Sequence, residues 1–456
     1  MKVIHVPFCF APDPFGGTEV YVANLARDLQ KLGVNALIAA PSDTSRDYAI
    51  DGLRVRRYAV SDQATDVTQL YGSGDLLAAA EFAKILDEET PDLVHLHAFT
   101  RGVSLRVVQT AKTRGIPVVF TYHTPTVSCQ RGTLLLWGKD FCDGKLEVPR
   151  CAGCTLNGLG IQRSLAAPLG RLPPIVGRWL GDHGRQGGVW TALRMSELIR
   201  VRHDAFRRMA SEVDHIVAVC NWVRDVILRN DVPANKVSLS RHGINWTTEP
   251  ANTPAQTSTR NSETRFAFVG RMDPTKGLDV LIKAFALAPT MKARLDVYGV
   301  VQSPANVAYQ KEMQALANSD PRISFLGPIA PREVVPRLQQ YDFLAIPSQW
   351  LETGPLVALE AFAAGIPVIG WKLGGISEIV QHEVNGLLID PGSVERWAKT
   401  MQRVTEDAGL RARLKDGVRP PRTGLEVARE MLAVYESLLG SRSTRRPEHA
   451  AQSGAL

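Results

Sequence analysis

RFAFVGRMDPTKGLDVLIKAFA, residues 265–286, changes periodicity across a turn. Phe266 to Val269 is a short apolar run, the pattern of a strand buried on both faces. Gly270 to Gly277 holds Asp273, Pro274 and two glycines and reads as a turn. Leu278 to Ala288 puts Leu278, Leu281, Ile282 and Phe285 at helical spacing. Strand, turn and helix in that order make one unit of a parallel α/β sheet. The turn carries Arg271 at the strand end and Lys276 at the helix start. Unpaired N–H groups and the positive dipole end make a helix N-terminus a phosphate site, and two cations strengthen it. Taken alone, both also fit solvated surface cations.

A second loop adds weight. Ser348 to Pro355 follows the apolar run Phe343–Ile346 and leads into a helix near Leu356, with Glu352 before that helix and Glu360 inside it. Eight helical positions would separate the two acids by ~12 Å along the axis, too far for the paired carboxylates of a retaining glycosidase at ~5 to 5.5 Å. The two acids therefore suit different parts of one long ligand. Glu352 would take sugar hydroxyls and Glu360 ribose hydroxyls, while Gly354, Pro355 and Leu356 offer backbone to a diphosphate between them. Breaking a sugar–diphosphate bond builds negative charge on the departing oxygen, which cations must already face. The competing reading makes Glu352 a near-cap carboxylate and Glu360 an exposed helix residue; flanking Leu359, Phe362 and Ala363 argue against a solvated face. Glu352 is read as a surface-loop residue, so its substitution is expected to cost little stability.

The ordered pieces Gly270-Arg271, Lys276-Gly277, the spaced glutamates, AGIPVI at 364–369, GGISE at 374–378 and NGLL at 385–388 resemble the retaining glycosyltransferases of family 4, also called group 1. The resemblance covers about residues 265 to 415. It implies the α/β GT-B fold, two Rossmann-like doubly wound domains facing across a cleft, and transfer from a nucleotide diphosphate sugar, a UDP- or GDP-sugar. In the N-terminal half, Lys2 to Phe10 reads as a first strand. Gly16 and Gly17 then open a helix whose stripe includes Val20, Leu25, Leu29 and Leu32, letting backbone approach the diphosphate from the opposite side. Residues 91–97 and 116–123 read as further strands, and the resemblance implies that His123, at the second strand's end, contacts the donor sugar. His95 and His97 are read as structural or accessory. Gly270, Gly299 and Gly327 are expected at the donor, the last two in loops that set base choice. No Asp-x-Asp triplet occurs, so Arg271, Lys276 and helix dipoles are expected to neutralise charge without a catalytic metal. Front-face transfer with retention is implied by the resemblance.

The 456 residues exceed one core. The expected division is an acceptor-side domain at 1–244, a Pro-rich linker at 245–264, a nucleotide-sugar domain at 265–415, a helix at 416–440 (about Glu426 to Leu439) returning to the first domain, and a disordered tail at 441–456. Cys129, Cys142, Cys151 and Cys154 cluster within 129–154. They read either as a structural zinc knuckle or as four independent thiols, and a similar cluster in a related subgroup tips the balance to zinc. Cys9 and Cys220 are read as single buried residues. The insertion at 155–210 holds nine Arg and three acids, +6 of the chain's net +7, mixed with Leu165, Leu169, Leu172, Ile175, Val176, Trp179, Leu180 and Trp190. It suits an anionic membrane face presenting a polyprenyl-linked or other glycan acceptor, and equally a plain insertion with its own core. No run of 18 apolar residues occurs and Pro7 interrupts the first apolar stretch, so the expected location is cytoplasmic, at most peripheral on the inner face of the plasma membrane. Two other functions compete: a nucleotide-sugar epimerase of the same fold, and a non-catalytic zinc-stabilised module. Nucleic acid is not an expected partner, because the basic charge sits in one insertion without a recognition motif.

Overall fold

The computed structural model describes residues 1–13, 16–62, 67–185, 187–246, 263–317 and 320–443. Most of the expected linker, residues 247–262, and residues 444–456 of the expected disordered tail lie outside the described residues.

Two sheets organise the chain. The N-terminal sheet has eight strands, in the spatial order Val237–Leu239, His215–Ala218, Val118–Tyr122, Leu93–Leu96, Lys2–Val6, Asn35–Ser42, Leu53–Ala59 and Arg46–Ile50. All are parallel except Arg46–Ile50, which runs antiparallel to Leu53–Ala59. The C-terminal sheet has six parallel strands in the order Ile323–Phe325, Ala293–Val300, Thr264–Arg271, Phe343–Ile346, Val368–Trp371 and Gly386–Ile389. Each sheet reverses strand order once: between Lys2–Val6 and Leu93–Leu96 in the first, and between Thr264–Arg271 and Phe343–Ile346 in the second. These are doubly wound sheets, whose ligand crevices open at the carboxyl ends of the strands flanking the reversal. The two-domain α/β arrangement is GT-B.

The opening stretch forms as its periodicity dictates. The strand runs Thr264–Arg271 and the helix Leu278–Leu287, with Phe266, Leu278, Leu281 and Phe285 fully buried. Between them Asp273 accepts from the Thr275 N–H at 2.9 Å. Gly277 takes a left-handed φ of 71°, and a Cβ there would lie 2.1 Å from the Pro347 carbonyl oxygen. Only glycine therefore lets this loop lie against the end of the neighbouring strand. That contact brings the Lys276 loop to the Glu352 loop.

Helix Gly424–Ser443 follows the second sheet and packs on the first domain: Val427, Ala428, Met431 and Tyr435 share a core with Val22, Leu25 and Leu29 of helix Gly17–Lys31. At the two crossings between domains, Ile244 and Thr423 form a parallel bridge. The Ile244 N–H donates to Arg422 O at 3.0 Å and the Gly424 N–H to Ile244 O at 3.1 Å.

Candidate functional site

The second-domain side of the cleft is built around Glu352. Its Oε1 accepts from Lys276 Nζ at 2.5 Å, from Ser348 Oγ at 2.8 Å and from Trp350 Nε1 at 2.9 Å. Its backbone oxygen accepts from the Gly375 N–H at 2.6 Å and from Trp222 Nε1 of the first domain at 3.0 Å. The residue is 6 % exposed, which corrects the expectation of a surface-loop glutamate. The loop folds inward because Gly374, at φ 51°, leaves room for it; a Cβ there would meet Glu352 O at 2.8 Å. The sequence reading also kept Lys276 and Glu352 in separate tasks, whereas here they form an ion pair, with the ammonium 5.3 Å from the Trp350 ring centre. Three donors share one carboxylate oxygen, leaving Oε2 for a ligand hydroxyl.

Glu360 lies on helix Leu356–Ala363, half-buried, and burial lifts its carboxyl to about 7. Gly354 opens that helix's approach with φ 148°, its carbonyl taking a 3.0 Å hydrogen bond from His242 Nδ1. Across the cleft, Gly16 and Gly17 open helix Gly17–Lys31. The Gly16 N–H donates to Glu19 Oε2 at 2.8 Å, and a Cβ added at Gly17 would come within 3.8 Å of Leu356. Glu19 is buried. Desolvation raises its pKa, against the pull of the Gly16 N–H and the charge of Arg271, so Arg271 stands near the glycine turn. Of the remaining glycines, Gly270 pairs in register with Gly299. A Cβ at Gly299 would sit 2.4 Å from Met272 Sδ, which ties that glycine to packing, while Gly327 has open space around it.

His123 follows the strand Val118–Tyr122 and is 4 % exposed. Its backbone oxygen accepts from Thr353 Oγ1 at 2.6 Å, its ring stacks on His242 at 5.6 Å, and Tyr21 lies edge-on at 4.8 Å. His123 therefore adjoins the Glu352 loop directly. Sequence reasoning missed His242, Tyr21, Trp222 and Arg241, and quoted Glu378 only as motif. Glu378 accepts from the Asn221 and Trp222 N–H groups at 2.8 and 3.0 Å and from Arg241 at 2.6 Å, joining the domains. For Arg241 and His242 the available signal was Arg241-His242-Gly243 just past the strand Val237–Leu239, at a crossing between domains.

The four clustered cysteines line one narrow cavity together with Arg202 and His203. All are free thiols. Burial raises Cys142, and Cys151 up to about 11. The Trp137 N–H donates to Cys154 Sγ at 3.3 Å, and that thiol in turn donates to Leu135 O at 3.7 Å. The donor set fits a soft divalent ion. However, among the described residues only His5, His95 and His97 have donor atoms all within 4.8 Å of one another, so the thiols need side-chain rotation to close on an ion. Cys220 is buried, as expected; Cys9 is half-buried. The cysteine segment also touches the second domain, with Leu134 inside its core and the Leu351 N–H donating to Thr133 O at 3.4 Å.

The insertion forms helices Arg163–Leu169, Pro174–Asp182 and Gly188–Glu212. Leu180 is buried, but Leu165, Ile175, Val176 and Trp179 are 60 %, 65 %, 39 % and 58 % exposed, beside exposed Arg163, Arg171, Arg178 and Arg185. Arg194, Arg200 and Arg207 instead pair with Glu197 and Asp204. No helix of the described residues is long and apolar enough to cross a membrane.

Residues 16–241 match the glycosyl transferase 4-like domain and residues 251–419 match the glycosyl transferases group 1. A D-inositol 3-phosphate glycosyltransferase of Xylanimonas cellulosilytica is 32 % identical over 440 residues, 94 % of each chain. One of Rhodococcus jostii is 26 % identical over 88 % of this chain and 79 % of its own. Among solved structures, Anabaena HepE in complex with UDP and glucose aligns over 96 % of this chain and all of its own, at TM-score 0.64 and 16 % identity. Sucrose-phosphate synthase of Thermosynechococcus elongatus aligns over 97 % and all of its own, at TM-score 0.65 and 17 % identity. With both sheets reversing at one cleft and a relative this similar over nearly its full length, the chain belongs to the group 1 glycosyltransferases of GT-B fold.

Proposed function

We propose that this transferase works with retention and without a catalytic metal, moving a sugar from a UDP- or GDP-sugar to a hydroxyl of a lipid-linked glycan in surface polysaccharide or glycolipid synthesis. The observation that carries the reading is the meeting of Lys276, Glu352, the Gly354–Leu356 helix start and His123 beyond the strand ends of the two sheets, with Arg271 at its own strand end close enough to act on Glu19 of the glycine turn. Arg271, Lys276 and the helix-start N–H groups take the charge that develops on the diphosphate. Lys276 has three N–H donors, so it keeps Glu352 while turning another toward a phosphate oxygen. Glu352 Oε2 and His123 hold the sugar, and Glu360 the ribose. The C1–O bond to the diphosphate breaks as the acceptor oxygen bonds C1 on the same face. The acceptor's proton passes to the departing phosphate oxygen.

The lipid-linked acceptor is supported by the apolar and basic face at Leu165, Ile175, Trp179, Arg171 and Arg178, which suits the cytoplasmic side of an anionic membrane. A soluble phosphorylated polyol is the second reading, favoured by the names of the full-length relatives. Structural zinc on Cys129, Cys142, Cys151 and Cys154 would brace the segment that touches Leu351. Donor turnover should first be tested with UDP- and GDP-sugars in EDTA, against polyprenyl-linked glycan and against inositol phosphate, with the product anomer read by NMR. An inverted anomer, or activity lost in EDTA and restored by magnesium or manganese but not by zinc, refutes the mechanism; transfer to inositol phosphate alone refutes the lipid-linked acceptor.

A further inference from the structure

Behind His123 runs a file of buried imidazoles. His97 Nδ1 lies 3.1 Å from His123 Nε2, and His97 Nε2 lies 3.1 Å from His5 Nδ1. His5 and His97 are 0 % and 2 % exposed. The file starts on the strand Lys2–Val6 and ends at the cleft, passing through the point where the first sheet reverses. At its inner end His5 Nε2 is buried with no hydrogen-bond partner. His95 stands beside the file but not in it, since its two nitrogens meet Tyr435 OH at 2.6 Å and Thr121 Oγ1 at 2.7 Å.

Burial holds His5 down to about 3 and His97 and His123 well below their ordinary value, so all three rings are neutral and each carries one N–H. Two hydrogen bonds between three such rings can point only one way or the other. If they point inward, His5 Nε2 carries a buried N–H with no acceptor. If they point outward, His5 Nε2 is a bare lone pair, a smaller penalty than an orphaned buried N–H. We propose that His5 and His97 are positioning residues that fix His123 as the Nδ1–H tautomer, making it a hydrogen-bond donor toward an oxygen of the bound donor sugar. The inference rests on the proposed contact between His123 and that sugar. The same imidazoles could be read as a metal site, with His5, His95 and His97 donor atoms within 4.8 Å. Every nitrogen of the three except His5 Nε2 already has a partner, so the hydrogen-bonded file accounts for more of them.

The test begins with the unaltered full chain, labelled with 15N in its histidine rings and washed with chelator. Long-range proton–nitrogen spectra should show His5, His97 and His123 protonated at Nδ1. A His123 ring protonated at Nε2, or ring shifts of metal-bound imidazoles, overturns the proposal. His97→Phe cuts the file, and His97→Asn places an amide N–H where Nδ1–H stood. His97→Phe should give mixed tautomers at His123 and about a tenfold loss of kcat/KM for the sugar nucleotide, the worth of one oriented hydrogen bond. Affinity for the free nucleoside diphosphate, which lacks the sugar, should hold, and His97→Asn should recover most of the loss. An unchanged His123 tautomer in His97→Phe, or equal losses for sugar nucleotide and free diphosphate, overturns it. If His123 itself does not serve the sugar, His123→Ala would transfer normally while the wild-type tautomers stay as stated, which separates failure of the contact from failure of the file.

Discussion

Glu360 should make donor binding depend on pH. Its carboxyl is lifted by burial from an ordinary 4.5 to about 7. Ribose hydroxyls donate more strongly to a carboxylate than to a carboxylic acid, so a bound nucleotide favours ionisation. With an empty-site value of about 7, roughly one site in eleven is ionised at pH 6 and about nine in ten at pH 8. Affinity for a nucleoside diphosphate sugar should therefore be about tenfold weaker at pH 6 than at pH 8, with proton release on binding below pH 7. The sugar nucleotide is the right probe, because its diphosphate lacks the terminal phosphate group that titrates near 6 and would confuse the profile. Isothermal titration from pH 5.5 to 8.5, in buffers of different ionisation enthalpy, reads affinity and proton release together. Glu360→Gln should bind more weakly at pH 8 and lose the slope. Equal affinity at pH 6 and 8 in the unaltered protein, or a slope that survives in Glu360→Gln, refutes the reasoning.

The same carboxyl leaves a mark on the empty protein. A folded-state value above the unfolded one means the folded chain binds more protons between about pH 4.5 and 7. This contribution to stability is complete below the unfolded value and is lost as pH rises through the folded one, amounting to on the order of 2 to 3 kcal/mol for a half-buried group. Without ligand, Glu360→Gln should melt above the unaltered protein at pH 8 and close to it at pH 5, as followed by calorimetry.

Glu352→Gln should remove transfer and also cost about 1 to 3 kcal/mol in urea unfolding, since three donors lose a shared ionised acceptor; an unchanged unfolding midpoint would place Glu352 outside that network. Gly374→Ala should destabilise by more than about 1 kcal/mol through its left-handed φ and the 2.8 Å approach to Glu352 O, read by the same curves, with a neutral effect contradicting the packed loop. Metal analysis of the purified chain should find one zinc, lost on Cys142→Ser with a lower melting temperature; less than one zinc, with no uptake on reconstitution, rejects the knuckle. Trp179→Glu with Arg178→Glu should abolish flotation with anionic vesicles at low salt and leave transfer to a soluble acceptor intact; failure of the unaltered protein to float removes the membrane contact.

Those parts of the fold fixed by near neighbours were legible. Phe343–Ile346 runs over the residues its apolar pattern marks, and the helix opened by Gly16-Gly17 begins at Gly17. Both depend on periodicity and turn chemistry within a few residues. Burial of Glu352 was not legible, because it depends on Gly374 making room 22 positions later and on Trp222 reaching across from the other domain. His242 was missed for a related reason. Its ring acquires meaning only when Gly354 and His123 close on either side of it, and a lone histidine after a strand carries no such signal. The glycines differ in a way the sequence does not show. Gly299 and Gly327 read alike in sequence, but one is held by Met272 and the other is open.

The chemistry and the hinge of this protein meet in the same few atoms. The chain crosses between domains twice, and the crossings lie side by side where Ile244 bridges Thr423. Rotation about that pair would separate the facing surfaces, and among the bonds it must break are four sets: Thr353 to His123 O, His242 to Gly354 O, Trp222 to Glu352 O and the Glu378 contacts with Asn221, Trp222 and Arg241. Three of the four sets hold the segment from Glu352 to Gly354, so opening would release the loop proposed to grip the sugar and phosphate. On that proposal, donor binding and domain closure would be coupled through one loop. A variant that weakens Glu378–Arg241 alone should raise the KM for the donor before it touches the transfer step.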